Sequence, residues 1–245
     1  MYTLLKQLVK KVLPSDILIK NEYLIRKAFS FFYKGSDFEC NFCKKNYSKF
    51  INHNNDLLCP GCGSSSRTRR LKMFLESEEL LKGNILHFSP NRIEYKTYKK
   101  EVENYTTSDF ENEFIADEKY DLTNLPDLDN HFDLIICYHI LEHIVDDVKA
   151  MNELKRVVKE TGKVLIQTPY KEGETYEDYS VTSPEDRLKH FGQDDHIRIY
   201  SCEGLKARLE STGFKCTVID MANINSDKIK RFGLDNEEKF ILAEK

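Results

Sequence analysis

From residue 84 onward the chain alternates short apolar runs with amphipathic stretches. The run Phe132-Asp-Leu-Ile-Ile-Cys137 is apolar on both faces, as a strand inside a parallel sheet must be. Residues 146–159 then carry apolar side chains at helical spacing, and residues 163–168 form a second apolar run. Earlier in the chain, residues 84–88 and 103–107 read as strands separated by a tyrosine-rich helix over 91–100, and 114–115 as a short third strand. A helix ending over 205–211 and strands over 215–219 and 240–244 close the pattern. Strands alternating with helices predict a mostly parallel, doubly wound α/β sheet. Ligands of such sheets bind outside the carboxyl ends of the strands. Tyr138, His139, Glu142 and His143, just past one such end, therefore mark a site.

The first third of the chain is patterned differently. Residues 2–34 hold two apolar-periodic segments around Pro14, with Leu4, Leu5, Leu8, Val9 and Val12 at helical spacing and an aromatic run over 29–33. Cys40-x2-Cys43 follows, and after fifteen residues Cys59-x2-Cys62, each pair beside turn-forming residues. Four thiolates on two such turns enclose Zn²⁺ tetrahedrally, at about 2.3 Å, in a closed structural site. Arg67, Arg69 and Arg70 come next, on a helix running to about residue 81. They can bind a phosphate or carboxylate or pair with the acidic domain; the intramolecular role is the favoured one.

Charge sharpens this division. Net charge is −4, but residues 1–35 carry +5 and residues 36–72 carry +4, which leaves −13 on the remainder. Only the basic first part is suited to a polyanion such as RNA or to peripheral contact with an anionic membrane surface. No apolar run approaches the roughly 20 residues a membrane helix needs. With cysteines spaced for metal rather than disulfides, a cytoplasmic protein is expected.

The residues Tyr33-Lys34-Gly35, the four cysteines, Cys59-Pro60-x-Cys62-Gly63-Ser64, Arg67 and Arg69, and Leu86-His87-Phe88-Ser89-Pro90 form a recognisable series. It continues with Asp121-Leu122-Thr123-x-Leu125-Pro126, Phe132-Asp133-Leu134, Leu141-Glu142-His143, and Phe191-Gly192-Gln193-x-Asp195-His196-x-Arg198-x-Tyr200. As a set, over roughly residues 31–245, it resembles the class I S-adenosylmethionine-dependent methyltransferases of type 11 that carry an N-terminal four-Cys zinc ribbon. Thr161-Gly162 stands where that family usually has Gly-Gly, and no glycine occurs in Leu86–Asn91. The dinucleotide fingerprint is thus missing, which argues against a nicotinamide or flavin enzyme.

The resemblance implies a helical segment (1–35), a zinc ribbon (36–70) and a Rossmann-like methyltransferase domain (71–245) whose last strand is antiparallel. It implies that S-adenosylmethionine lies along His87, Phe88, Ser89, Pro90, Asp109, Asp121, Leu122, Tyr138 and His139. Asp109 would take the ribose hydroxyls and Asp121 the adenine amino group. Tyr138, His190, Gln193, Asp195, His196 and Arg198 would face the acceptor, with His196, His190 or His139 as general base. Glu142-His143 admits three readings: bracing the next helix, holding a divalent ion, or acting on substrate. The Asn/Asp-Pro-Pro-Tyr motif of adenine amino methyltransferases is absent, so a hydroxyl on a sugar, glycan or other small polar metabolite is the expected acceptor. The alternatives are an RNA methyltransferase using the basic ribbon and a non-catalytic zinc-ribbon binding module.

Overall fold

A computed structural model describes residues 24–53, 56–126, 128–223, 226–235 and 237–245. Of the helical pattern expected over residues 2–34, the part up to residue 23 lies outside these residues, while residues 24–29 are helical and Ser30–Tyr33 continue as a 3-10 turn. Among those described, no helix is long and apolar enough to cross a membrane. The chain forms two compact units: residues 24–79 with 222–235, and residues 80–221 with 237–245.

In the first unit β1 (Lys34–Cys40) pairs antiparallel with β2 (Lys45–Tyr47), and β3 (Ile51–His53) with β4 (Asp56–Leu58). One cysteine pair occupies the β1–β2 turn and the other follows β4. The two turns close alike, with Lys44 N–H on the Cys40 carbonyl at 2.8 Å and Gly63 N–H on the Cys59 carbonyl at 2.9 Å. Both closing residues adopt positive φ, 54° at Lys44 and 78° at Gly63, a conformation that costs glycine little. Helix α1 (Ser66–Ser77) starts where the Ser65 hydroxyl accepts Thr68 N–H.

The second unit runs β5 (Asn84–Phe88), α2 (Arg92–Glu101), β6 (Asn104–Ser108), β7 (Phe132–Tyr138), α3 (Asp147–Val157), β8 (Val158–Gln167), β9 (Tyr176–Glu177), α4 (Pro184–Phe191), β10 (Arg198–Ile199), α5 (Cys202–Ser211), β11 (Lys215–Asp220) and β12 (Lys239–Glu244). Six strands make one sheet in the order β11-β12-β8-β7-β5-β6. β8, β7, β5 and β6 are parallel neighbours, and β12 runs antiparallel to both β8 and β11. This is the expected Rossmann-like sheet with its reversed last strand. Central β7 has six of its seven residues buried, which is why its sequence is apolar on both faces. α3 covers the sheet with Ala150, Met151, Leu154 and Val157, a helical stripe that is wholly buried. Asn91 and Glu94 form a reciprocal capping box at the start of α2.

The third strand expected at 114–115 does not form. Instead Asp109 accepts the amides of Glu113 and Phe114 at 2.6 and 3.1 Å, bending the chain into a turn. Phe114 and Ile115 stay exposed, and the sheet edge gains only a bridge between Ser108 and Glu118.

Arg69 explains why the first unit extends past the ribbon to residue 79 and takes in 222–235. Its guanidinium is fully buried. It donates to the carbonyls of Ser64, Leu57 (2.8 Å), Phe232 (2.6 Å) and Gly233 (2.7 Å) and lies 4.3 Å from the centre of the Phe50 ring. Asn41, in the first cysteine turn, donates to the Arg69 carbonyl at 2.7 Å. Instead of pairing with the acidic domain, as expected of the arginines, Arg69 engages backbone carbonyls of its own unit. Removing such a buried, fully engaged cation strands its acceptors. Arg69→Met is expected to lower unfolding stability by about 3 kcal/mol in urea titration, while exposed Arg67→Ala changes it by less than about 0.5 kcal/mol.

Candidate functional site

The parallel strands β5, β6, β7 and β8 deliver a set of polar residues at their carboxyl ends. Two of these residues hold unusual backbone. Ser89, just past β5, has φ 47°, and His139, just past β7, has φ 57°. Neither is glycine, so each costs on the order of 1 kcal/mol and needs its surroundings to hold it. Ser89 N–H donates to the Ser108 carbonyl at 2.8 Å and its hydroxyl to Asp109 at 2.6 Å. His139 N–H donates to the Gln167 carbonyl at 2.7 Å. The positive-φ turn after β5 is thus built from Ser89, pinned by its own side chain.

The residues expected along the cofactor fall into two groups. His87 packs against the rings of Tyr98 and Tyr105, with Nδ1 2.8 Å from the Tyr105 phenol, and burial pushes its pKa down to about 3. It is a neutral core histidine, and its imidazole is sealed from any ligand. Phe88 and Leu122 belong to the hydrophobic core, and Pro90 is buried too. Asp109 stands at the end of β6, but Oδ1 already accepts from Ser89 and Oδ2 from two loop amides. A carboxylate has about four acceptor sites, so one remains, on Oδ1. Asp121 accepts the amide and hydroxyl of Thr123 on Oδ1, both at 2.8 Å, in a tight turn. Tyr138 is buried with its ring 6.3 Å from that of Phe240.

The acceptor-side residues also divide. His139, Glu142, His143, Asp195 and His196 come together. His139 places Nε2 3.1 Å from the Gln167 side-chain oxygen and Nδ1 3.5 Å from Glu142. His143 Nδ1 lies 3.1 Å from Asp195, and the His143 and His196 rings cross edge to face at 4.7 Å. Burial pushes the His196 pKa down, aided by the neighbouring His143. His190 lies elsewhere, exposed and 2.8 Å from the Tyr176 hydroxyl. Gln193 is exposed on the segment between α4 and Asp195.

Arg198 departs from the acceptor-facing role. It is fully buried, and its donors are committed to the carbonyls of Leu141 (3.1 Å), Ile144 and Val145 (3.0 Å), to Glu177 (3.0 Å) and to the Tyr179 hydroxyl (3.2 Å). It clamps the turn after β7. Glu177 also receives Arg208, which pairs with Asp147, and Asp147 accepts the Tyr200 hydroxyl. Sequence reasoning missed Glu177, Arg208, Gln167 and Tyr170. Glu177 sat unremarked in an acidic loop, and Gln167 was legible only as the end of a strand. The Tyr170 hydroxyl is buried with no hydrogen-bond partner; burial raises its pKa, with smaller contributions from Cys202, Tyr138 and Glu142 nearby.

In the first unit the sulfurs of Cys40, Cys43, Cys59 and Cys62 all lie within 4.8 Å of one another. Hydrogen bonds from its neighbours, first Cys43, draw the Cys40 thiol far below its ordinary pKa, while those to Cys40 push Cys62 far above. Four sulfurs this close ionise together only around a cation. The Tyr47 and Ser64 hydroxyls reach this cluster at 3.5 and 3.3 Å.

A parallel sheet with a reversed final strand and a polar cluster at its carboxyl edge defines a Rossmann-like transferase architecture. A methyltransferase domain family matches residues 58–218, and the chain belongs to that family. An S-adenosylmethionine-dependent methyltransferase of Mesorhizobium loti shares the fold, with a TM-score of 0.51 at 14% identity over 75% of this chain and 98% of that one. A SAM-dependent methyltransferase of Archaeoglobus fulgidus aligns with a TM-score of 0.48 at 17% identity, over 72% of this chain and 93% of that one. An uncharacterized protein of Methanocaldococcus jannaschii, MJ0638, is 33% identical over 84 residues. That match spans 33% of this chain and 37% of the relative, so the chain covers little more than a third of that protein's length.

Glu177 gives the site network a pH signature. Hydrogen bonds from Arg208, and then from Arg198, hold its pKa at about 2, against 4.5 in the unfolded chain. A carboxyl group depressed on folding contributes stability above its unfolded pKa and loses it as pH falls toward the folded one. Stability is expected to decline between about pH 4.5 and pH 2, and Glu177→Gln to flatten that decline in urea titrations at each pH.

Proposed function

We propose that the chain is an S-adenosylmethionine-dependent methyltransferase acting on a hydroxyl of a small polar acceptor, a sugar or glycan being the best fit. The observation that carries this reading is the cluster of His139, Glu142, His143, Asp195 and His196 at the carboxyl edge of a family-typical sheet. The cofactor, when bound, presents an electrophilic methyl group on a sulfonium. The residues suited to hold it are Ser89 with its positive φ just past β5, the remaining Asp109 acceptor site for one ribose hydroxyl, and the turn at Asp121.

The protein's task is to hold an acceptor oxygen in line with the C–S bond and to take its proton. As the oxygen lone pair forms the new C–O bond, the C–S electrons return to sulfur and the proton passes to an imidazole. His139 is the best placed of the three candidate bases. Its side chain is 26% exposed, whereas His196 is 4% exposed and His190 lies against Tyr176. Its orientation is held by Gln167. An RNA substrate fits less well, because Arg69 and Arg70 are buried and the acidic remainder of the chain would repel phosphate. We further propose that the four cysteines hold one structural Zn²⁺.

Calorimetry with S-adenosylhomocysteine is expected to give micromolar binding by the folded protein, about tenfold weaker (~1.4 kcal/mol) in Asp109→Asn. Absence of binding would overturn the enzyme reading. With an accepted substrate, His139→Ala is expected to lower kcat by about 10²-fold or more. An organomercurial, which captures thiolates, is expected to release one cysteine-bound zinc per chain, followed by loss of the first unit's structure in circular dichroism.

A further inference from the structure

Glu142 presents an electrostatic problem that the methyl-transfer reading does not solve. Its side chain is 1% exposed, and neither carboxylate oxygen has a hydrogen-bond partner. The nearest cationic candidate, His139 Nδ1, stays 3.5 Å away. An unpaired buried carboxylate costs several kcal/mol, and a bracing role would show it engaged with the helix it braces. Neither oxygen does so; the Glu142 backbone carbonyl instead accepts Ile197 N–H at 3.1 Å, from the residue before β10. That bond brings the following segment, and with it His196, against the same carboxylate.

One donor atom from each of Glu142, His143 and His196 lies within 4.8 Å of the others. Metal–ligand bonds of about 2.0–2.2 Å separate donors by roughly 3–4 Å, so modest side-chain closure round an ion suffices. His143 already has its other nitrogen spoken for: Nδ1 faces Asp195 at 3.1 Å. A carboxylate on the far nitrogen orients an imidazole for metal and leaves Nε2 as the ligand. Glu142 and Asp195 supply two negative charges against two neutral rings, which a dication balances.

We propose that Glu142, His143 and His196 form a second metal site, separate from the four cysteines, that takes a divalent first-row transition ion. Two imidazoles and one carboxylate select zinc, cobalt, nickel or iron(II) over magnesium and calcium, which want oxygen ligands. Three protein ligands leave open positions, as in catalytic rather than structural sites. Such positions would take two oxygens of the acceptor, a vicinal diol or a hydroxy acid. A bound ion would make that hydroxyl more acidic, with His139 placed to take its proton. That acceptor role, unlike the metal binding itself, rests on the methyl-transfer reading above.

The test is a cobalt(II) titration of the full chain after the four-cysteine site has been filled with zinc. One further equivalent is expected, with the visible bands of a nitrogen–oxygen site and no thiolate charge-transfer band. Glu142→Gln and His196→Ala are each expected to weaken it by at least about 100-fold. Glu142→Gln keeps the side chain's volume and removes the buried charge, so its fold is expected to persist. With zinc retained on the four cysteines, its melting temperature should not change when cobalt is added in excess, whereas filling the second site should raise that of the wild type. Absence of a further equivalent in the wild type, or equal cobalt affinity in folded Glu142→Gln, overturns the site. S-adenosylhomocysteine binding measured in chelator tests the methyltransferase reading separately, since the cofactor contacts proposed above include none of these three residues.

Discussion

The candidate site depends on one buried cation, Arg198. Its guanidinium gathers three backbone carbonyls from the turn after β7 and, on its other side, Glu177 and Tyr179. Carbonyls clustered this way repel one another, and a buried arginine repels its own desolvation; each makes the other tolerable. The effect is geometric. The turn bearing Glu142 and His143 and the segment bearing Asp195 and His196 are separated by about fifty residues in sequence, yet they are fixed to the same planar group or its neighbour. Asp147, Arg208 and Tyr200 extend the fixation to the start of α3 and into α5. A site built from loops gains in this way the precision usually reserved for regular elements.

The same network shows what the sequence could and could not disclose. Hydrophobic periodicity is a local property, and it located the strands and helices of the sheet within a few residues. The four cysteines were legible because their spacing is itself the constraint. Arg198 and His87 were misjudged for a common reason. A polar side chain at a strand end looks like a ligand contact until its partners are known, and those partners, Tyr105 for one and the carbonyls of 141–145 for the other, are set by tertiary packing. Asp109 was found, but its capture of the Glu113 and Phe114 amides was not. That capture also removed the expected third strand, since a chain bent back onto a carboxylate cannot extend along a sheet.

The missing glycines near β5 follow from similar physics. A positive φ is a requirement of the turn, whereas glycine is only the cheapest way to meet it. Ser89 meets it by donating its hydroxyl to Asp109, which couples the shape of one strand end to the charge at the next. His139 meets the same requirement two strands further on, through Gln167. Conformational strain at the sheet's edge is therefore balanced by side-chain bonds between neighbouring strand ends.

The route of the chain through its first unit carries a different consequence, for biosynthesis. Arg69 finds two of its four carbonyl acceptors 163 and 164 residues later, at Phe232 and Gly233. As the polypeptide leaves the ribosome, the cysteine turns emerge early, but the guanidinium that anchors the adjoining helix waits until the β11–β12 connection has been synthesised. Through that interval the nascent first unit lacks two of the four carbonyls that engage Arg69, so it is completed only after nearly the whole chain has been made.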